Sequence, residues 1–293
     1  MSPHGRPKGS YRSAQHEGTP MSAKPDTNRL SRFLLGTAGA LVLLFLCTPI
    51  LIVVPMSFSD RSALQFPPQG FSLRWYEAFL STPVWIEALL TSLQLALCSS
   101  IIALVLGSLA AYGLARGRIK GGAWLDANFM APMIIPHIIT AIALYFAFAA
   151  LGMLGTFTGL VIGHALVATP FVISVVGVAV RALDVRIEQS ARSLGATWPR
   201  VLASIVVPNV YPSLFVAWIF AFIVSFDEVV ITYFLAGSYV TIPKKMFNDL
   251  SQQLDPTITA VASILIVGSV LLMLVAARLS GGALGGVARG DKH

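Results

Sequence analysis

Apolar and polar residues alternate along this chain in long blocks, with apolar stretches at 33–56, 88–113, 128–151, 159–180, 211–236 and 258–278. A helix needs about 20 mostly apolar residues to cross a hydrocarbon layer roughly 30 Å thick, and each stretch meets that length. The pattern predicts an all-α integral membrane protein with six transmembrane helices over residues 31–280. The first stretch follows a basic tail containing Ser, Pro and Gly and has no small-x-small cleavage site. It is also too long for the core of a signal peptide, so it reads as a retained span. The tail, residues 1–30, reads as disordered, and Met21 offers an alternative start.

Composition narrows the class. Of the 293 residues, 56% are hydrophobic and 11% charged. A soluble domain carries about a quarter charged residues, so a soluble globular enzyme is excluded. The net charge of +7, from 20 Lys+Arg against 13 Asp+Glu, would suggest nucleic acid in a soluble chain. Here the basic residues fall between apolar runs, so nucleic acid is not expected and the charge reads as an orientation signal. The tail to Arg32 has six Lys/Arg, the 114–126 loop three, the 181–210 loop four and the C-terminal end three, sixteen on one side. Arg61, Arg74, Lys244 and Lys245 make four on the other. That bias puts both termini, including a C-terminal tail at 281–293, in the cytoplasm, and in a bacterium it puts the chain in the inner membrane.

Cys47 and Cys98 lie inside apolar runs and read as inert packing residues, neither a disulfide nor a metal site. On the outer side, Phe71, Trp75, Tyr76, Phe79 and Trp85 cluster beside a span, a pattern that suits the headgroup level. The polar segment 237–256, with Asp249 and Asp255, is placed to meet a soluble partner.

The cytoplasmic segment 181–210 is too long for a simple helix–helix turn. Asp184 can cap a helix whose Ile187, Ala191 and Leu194 share one face. Gly195 ends that helix, Pro199 starts a second, and Pro208 closes it before the next span. Small residues (Ser190, Ala191, Gly195, Ala196) line the apolar edge. That edge suits docking into a groove of another protein; an amphipathic segment lying on headgroups is the alternative, and the residues alone leave both open.

The stretch Glu188–Pro208 resembles the EAA loop of binding-protein-dependent, type I ABC importer permeases. That pattern runs Glu-Ala-Ala, three residues, Gly, and an apolar ending in Leu-Pro thirteen residues beyond the Gly. Gly195 and Pro208 have this spacing, Ala196 follows the Gly, and Leu202 and Ile205 fill apolar positions. Gln189-Ser190-Ala191 stands where the family has Glu-Ala-Ala, with the acid one place earlier at Glu188, and Val207 replaces the Leu. Phe71-Ser72-Leu73-Arg74-Trp75-Tyr76, Ser225-Phe226-Asp227-Glu228 and Leu254-Asp255-Pro256-Thr257-Ile258 are similar to the spermidine/putrescine-type subfamily.

The resemblance implies a MetI-like permease fold whose 184–208 segment is the ATPase-coupling loop, with Glu188, Gln189, Ala191, Gly195, Ala196 and Pro208 at its matching positions. It implies as partners a second homologous permease subunit, two ATPase subunits, a periplasmic substrate-binding protein and the lipid bilayer. The sequence has no Gly-x-x-x-x-Gly-Lys-Ser/Thr phosphate loop, so this chain is expected to hold no cofactor, ATP being bound by the partner.

Asp227 and Glu228 are the only acidic residues well inside a predicted span. An ionised carboxylate near the bilayer centre costs on the order of 2.5–3.5 kcal/mol even on the lenient insertion scale, so both must face protein, water or a cation. They could line the path of a cationic substrate such as a polyamine, or serve a packing network or a contact with the partner permease. His164 and His137 could bind substrate, although a lone His in an apolar helix more often hydrogen-bonds between helices. Tyr145 and Tyr112 suit packing, or cation–π contact with ammonium groups. The residues singled out for a substrate pathway are Asp227, Glu228, His164 and Tyr145. Pro132, Pro136 and Pro170 are expected to kink or delimit helices.

No catalytic or metal-binding set is expected: the sequence contains no His-Glu-x-x-His, no Gly-x-Ser-x-Gly and no paired Cys/His ligands. The same importer class with an amino-acid-like compound, a phosphonate or an anion as substrate is the alternative. An ion-coupled secondary transporter is a more distant one, because paired broken helices in inverted repeats are not apparent.

Overall fold

The computed structural model describes residues 29–62, 64–117, 119–252 and 255–287, without the side chains of 29–30 and 279–287. The expected disorder of the N-terminal tail therefore lies outside the described residues up to 28, as do Arg118, Leu254 of the Leu254–Ile258 motif, and 288–293 of the C-terminal tail. The chain divides into two units, Met1–Thr48 and Pro49–His293.

In the first unit lies most of α1 (Arg29–Met56). Its side chains from Phe33 to Leu46 point outward almost without exception. A helix apolar all round belongs in lipid or against other apolar helices.

The second unit begins with the last turns of α1 and continues through α2 (Arg74–Ser81), α3 (Pro83–Arg116), α4 (Gly122–Ile134), α5 (His137–Ala150) and α6 (Phe157–Ala182). Then come α7 (Val185–Ser193), α8 (Trp198–Val201), a π-helical stretch (Leu202–Val206), α9 (Val207–Phe226), α10 (Val230–Leu235), α11 (Ile242–Gln252) and α12 (Thr257–Val287). Among the described residues no strand forms beyond one isolated bridge, Ser59 with Phe71.

Helix α6 is the pillar, with Leu160, Val167, Ala168, Val172, Val176 and Val180 buried. Helix α3 packs on it through buried small residues four apart, Ala103, Gly107 and Ala111. In lipid there is little hydrophobic drive between helices, so close backbone approach over small residues supplies the attraction. Gly107 shows how close the helices come, because a Cβ there would lie 2.8 Å from Val172 Cβ. Helix α9 completes this core through Val210, Ala217 and Ala221.

Among the described residues five helices are long and apolar enough to cross a membrane, or six if α4 and α5 form one broken span. Four predicted stretches are single helices, and α12 runs on to Val287 where its span was expected to end near 278. The other two are broken. The 128–151 stretch bends by 105° between α4 and α5. Pro136 lacks the N–H an unbroken helix would use, and it pushes Ile135 into an extended conformation (ψ 134°). The 211–236 stretch stops at Phe226 and restarts at Val230, around Asp227 and Glu228.

The outer aromatics fold the loop onto itself: Trp75 Nε1 donates to Ser59 O at 2.8 Å, and Tyr76 OH lies 2.7 Å from Ser57 Oγ. Phe79 and Trp85 are buried against Ile242 and Ile258. Cys47 and Cys98 are exposed thiols on α1 and α3, so in this chain they do not pack the core. In the polar segment, Lys244 Nζ donates to Gly237 O (3.0 Å) and Tyr239 O (2.9 Å), taking up carbonyls beyond α10, and burial lowers its pKa from the ordinary lysine value.

Candidate functional site

The break between α9 and α10 is built around Glu228. Its carboxylate is buried, and Oε1 accepts from Val230 N (2.8 Å) and Ile231 N (3.0 Å), the first main-chain donors of α10. Oε2 lies 3.0 Å from His137 Nδ1, an ion pair when the imidazole is protonated. His137 is the first residue of α5 and is freed to reach across by the Pro136 bend. The two helix breaks thus meet at one contact. A buried carboxylate needs compensation, and turning the backbone to aim two N–H groups at it supplies part of that, which accounts for the interruption of an otherwise apolar stretch.

Asp227 sits differently. It ends α9, its side chain is exposed, and no hydrogen bond or ion pair to its carboxylate forms among the described residues. It lines two cavities. One, of about 330 Å³, is shared with His137, Phe171, Glu228 and Val230. The other, of about 430 Å³, is shared with Pro243, Met246, Phe247 and Leu250. A free carboxylate beside a second acid, on apolar walls, presents negative potential to a cation small enough to enter.

His164 is fully buried and does not reach the cavities. Its Nδ1 lies 2.9 Å from Ser225 Oγ, which is 2.7 Å from Ser99 Oγ, and its Nε2 lies 3.0 Å from Thr232 Oγ1. Thr232 Oγ1 in turn donates to Glu228 O at 2.8 Å. The imidazole therefore bridges the residues before and after the break, as an interhelical hydrogen-bonder does. Tyr145 is not brought to the acids: its ring packs edge-on against Phe146 (5.7 Å between centroids), and it lines neither cavity.

The segment between α6 and α9 forms the helix–turn–helix its sequence suggests. Asp184 caps α7 by accepting from Arg186 N (2.9 Å), and Gly195 ends it in the left-handed region (φ +89°). The apolar edge expected to meet another protein or the headgroups is largely open. Ile187 and Leu194 are exposed, while Glu188 is buried and Ala191 partly so.

Glu188 turns inward because partners wait there. Oε1 accepts from Arg116 Nε at 2.8 Å and Oε2 from Tyr112 OH at 2.6 Å, while Arg116 Nη2 donates to Leu183 O at 2.6 Å. Tyr112 and Arg116 are one turn apart at the end of α3. Their spacing on one face is the signal that could have marked them. Gln189 is exposed, and Ala196 is partly buried.

Pro208 does not end the second helix. Trp198–Phe226 is continuous, with the turn before Pro208 widened into the π-helical stretch. A proline ring clashes with the carbonyl four residues back, and an opened turn relieves that clash. Among the described residues no group of three His, Cys, Asp or Glu side chains could hold a metal ion.

The family model described as binding-protein-dependent transport system inner membrane component matches residues 103–282. The spermidine/putrescine transport system permease protein PotC of Escherichia coli K12 is 32% identical over 252 residues, 85% of this chain and 94% of that protein. The putrescine transport system permease protein PotI of the same organism is 34% identical over 238 residues, 77% of this chain and 83% of its own. Among solved structures, a bacterial ABC transporter involved in the import of the acidic polysaccharide alginate superposes with a TM-score of 0.65. It is 16% identical and covers 89% of this chain and 99% of its own, a likeness of fold alone.

Proposed function

This chain belongs to the binding-protein-dependent transport system inner membrane components, and we propose that within that family it forms the translocation path for a polyamine such as putrescine or spermidine. It is a multi-pass inner-membrane permease of an ABC importer, not itself an enzyme. The observation that carries the substrate is Asp227: an exposed carboxylate shared by two cavities, next to a second acid, in a chain that resembles permeases named for spermidine and putrescine. An ammonium group would take the place of water at Asp227 and sense Glu228 behind it. An anion would meet like charge at the same point.

In this reading the chain makes six spans, with α4 and α5 as one broken span and both termini, including the 1–30 and 281–293 tails, in the cytoplasm. His164 holds the break in shape, and Tyr145 offers an exposed ring to ammonium groups elsewhere on the path. A second permease subunit completes the path, and a periplasmic binding protein delivers substrate. Two ATPase subunits bind ATP and drive the cycle through the 184–208 loop. Its exposed edge, with Gln189 on α7 and Leu194 and Gly195 just after it, docks into the ATPase. Ala191 and Ala196 allow close approach, and Pro208 joins the loop to the span.

The test is uptake of labelled putrescine and spermidine by cells carrying the complete transporter, with and without this chain. Energy-dependent uptake that vanishes without the chain is expected. No difference, with the ATPase still co-purifying with the chain, overturns the polyamine and keeps the importer.

A further inference from the structure

The segment between α6 and α9 is attached to the helix bundle in two unlike ways. On the α6 side the link is made of directed polar bonds. Arg116, at the last turn of α3, splits its guanidinium between Glu188 Oε1 on α7 and the Leu183 carbonyl at the end of α6. Tyr112, one turn earlier, takes the other carboxylate oxygen. The Tyr112 ring meets Trp198 edge-on at 6.0 Å, and the Arg192 guanidinium lies 4.5 Å over the same indole. The paired side chains are almost closed to solvent, 13% exposed for Arg116 and 3% for Glu188. A planar guanidinium with two fixed acceptors allows little sliding or rotation.

On the α9 side the link is soft. The π-helical stretch Leu202–Val206 replaces the regular ladder, and Pro208 supplies no N–H. Asn209 Nδ2 serves the Ile205 carbonyl at 2.7 Å. Val201 and Val206 are buried by apolar contact, which has no directional preference. π-helical turns are rare, occur mostly as single-turn bulges inside α-helices and are frequent at functional sites.

We propose that the Arg116–Glu188–Tyr112 clamp makes the end of α3, the end of α6 and α7 move as one body when the loop is pushed, with the bending taken up by Leu202–Val206. Glu188 and Arg116 are then positioning residues for energy coupling, not contacts with the motor, since both Glu188 oxygens are already occupied. A purely stabilising role is a poor account of the pair, because a buried ion pair is often no better than apolar packing of similar volume. The inference rests on the reading of this chain as an ATPase-driven permease.

The test uses the complete transporter in lipid vesicles and reads uptake per ATP hydrolysed. Glu188→Gln and Arg116→Gln are expected to assemble with the ATPase yet lower that ratio severalfold. Fewer assembled complexes with an unchanged ratio would mean a structural role and overturn the clamp. A second measurement uses a chain with Cys47 and Cys98 replaced by Ser and spin labels at Gly113→Cys, where the space is open, and Gln189→Cys. One unchanged label distance with and without ATP supports the clamp, and a distance that changes between the two states overturns it. An ATPase that fails to co-purify with the unmodified chain would instead overturn the permease reading beneath it.

Discussion

Glu188 and Glu228 are both buried carboxylates, and they are held in opposite ways. Glu188 faces a guanidinium that keeps its charge at any working pH and a tyrosine hydroxyl, both on one turn of one helix. Glu228 faces two main-chain N–H groups at a helix break and the His137 imidazole, 42% exposed and charged only when protonated. Beside Glu188 there is packed protein; beside Glu228 there are two cavities and Asp227, whose carboxylate is exposed. A fully compensated acid makes a joint. An acid compensated by backbone and a titratable ring, at the edge of open space, leaves negative potential for a cation to use.

The sharpest way to break this contrast is to remove the permanent charge. Arg116→Ala strands a buried carboxylate and should cost about 3–5 kcal/mol, seen as a lowered Tm of the purified protein. Tyr112→Phe removes one hydrogen bond to the same carboxylate and should cost about 1.5–3 kcal/mol by the same measurement. His137→Ala should cost least, about 0.5–1.5 kcal/mol, since water can replace an imidazole already partly exposed. If His137→Ala destabilises as much as Arg116→Ala, the two sites are alike and the distinction fails.

Much of this was legible before any coordinates. The Asp184 cap and the turn at Gly195 rest on local rules, and local rules are what a sequence states directly; the Gly195-to-Pro208 spacing carries a family resemblance instead. The two helix breaks were half legible. Pro136 announced one, but an average over apolar residues at 128–151 and 211–236 conceals how sharply the chain turns at Pro136 and at Asp227. The inward turn of Glu188 on α7 is what the sequence hides. Periodicity marks Ile187, Ala191 and Leu194 as one face, but Glu188 is drawn in by Arg116, 72 residues earlier in the chain, a pairing that no local pattern encodes. Tyr145 illustrates the same limit, since residue type marks a ring able to hold a cation but not whether the fold brings it to the acids.

The proposed role of the acids at the α9–α10 break, holding a cationic substrate, is open to direct measurement. The direct measurement is the concentration dependence of labelled spermidine uptake by the complete transporter carrying Asp227→Asn with Glu228→Gln, alongside the amount of ATPase co-purified. Uptake is expected to be largely lost while the ATPase is retained. Uptake kinetics identical to those of the unmodified chain would contradict it.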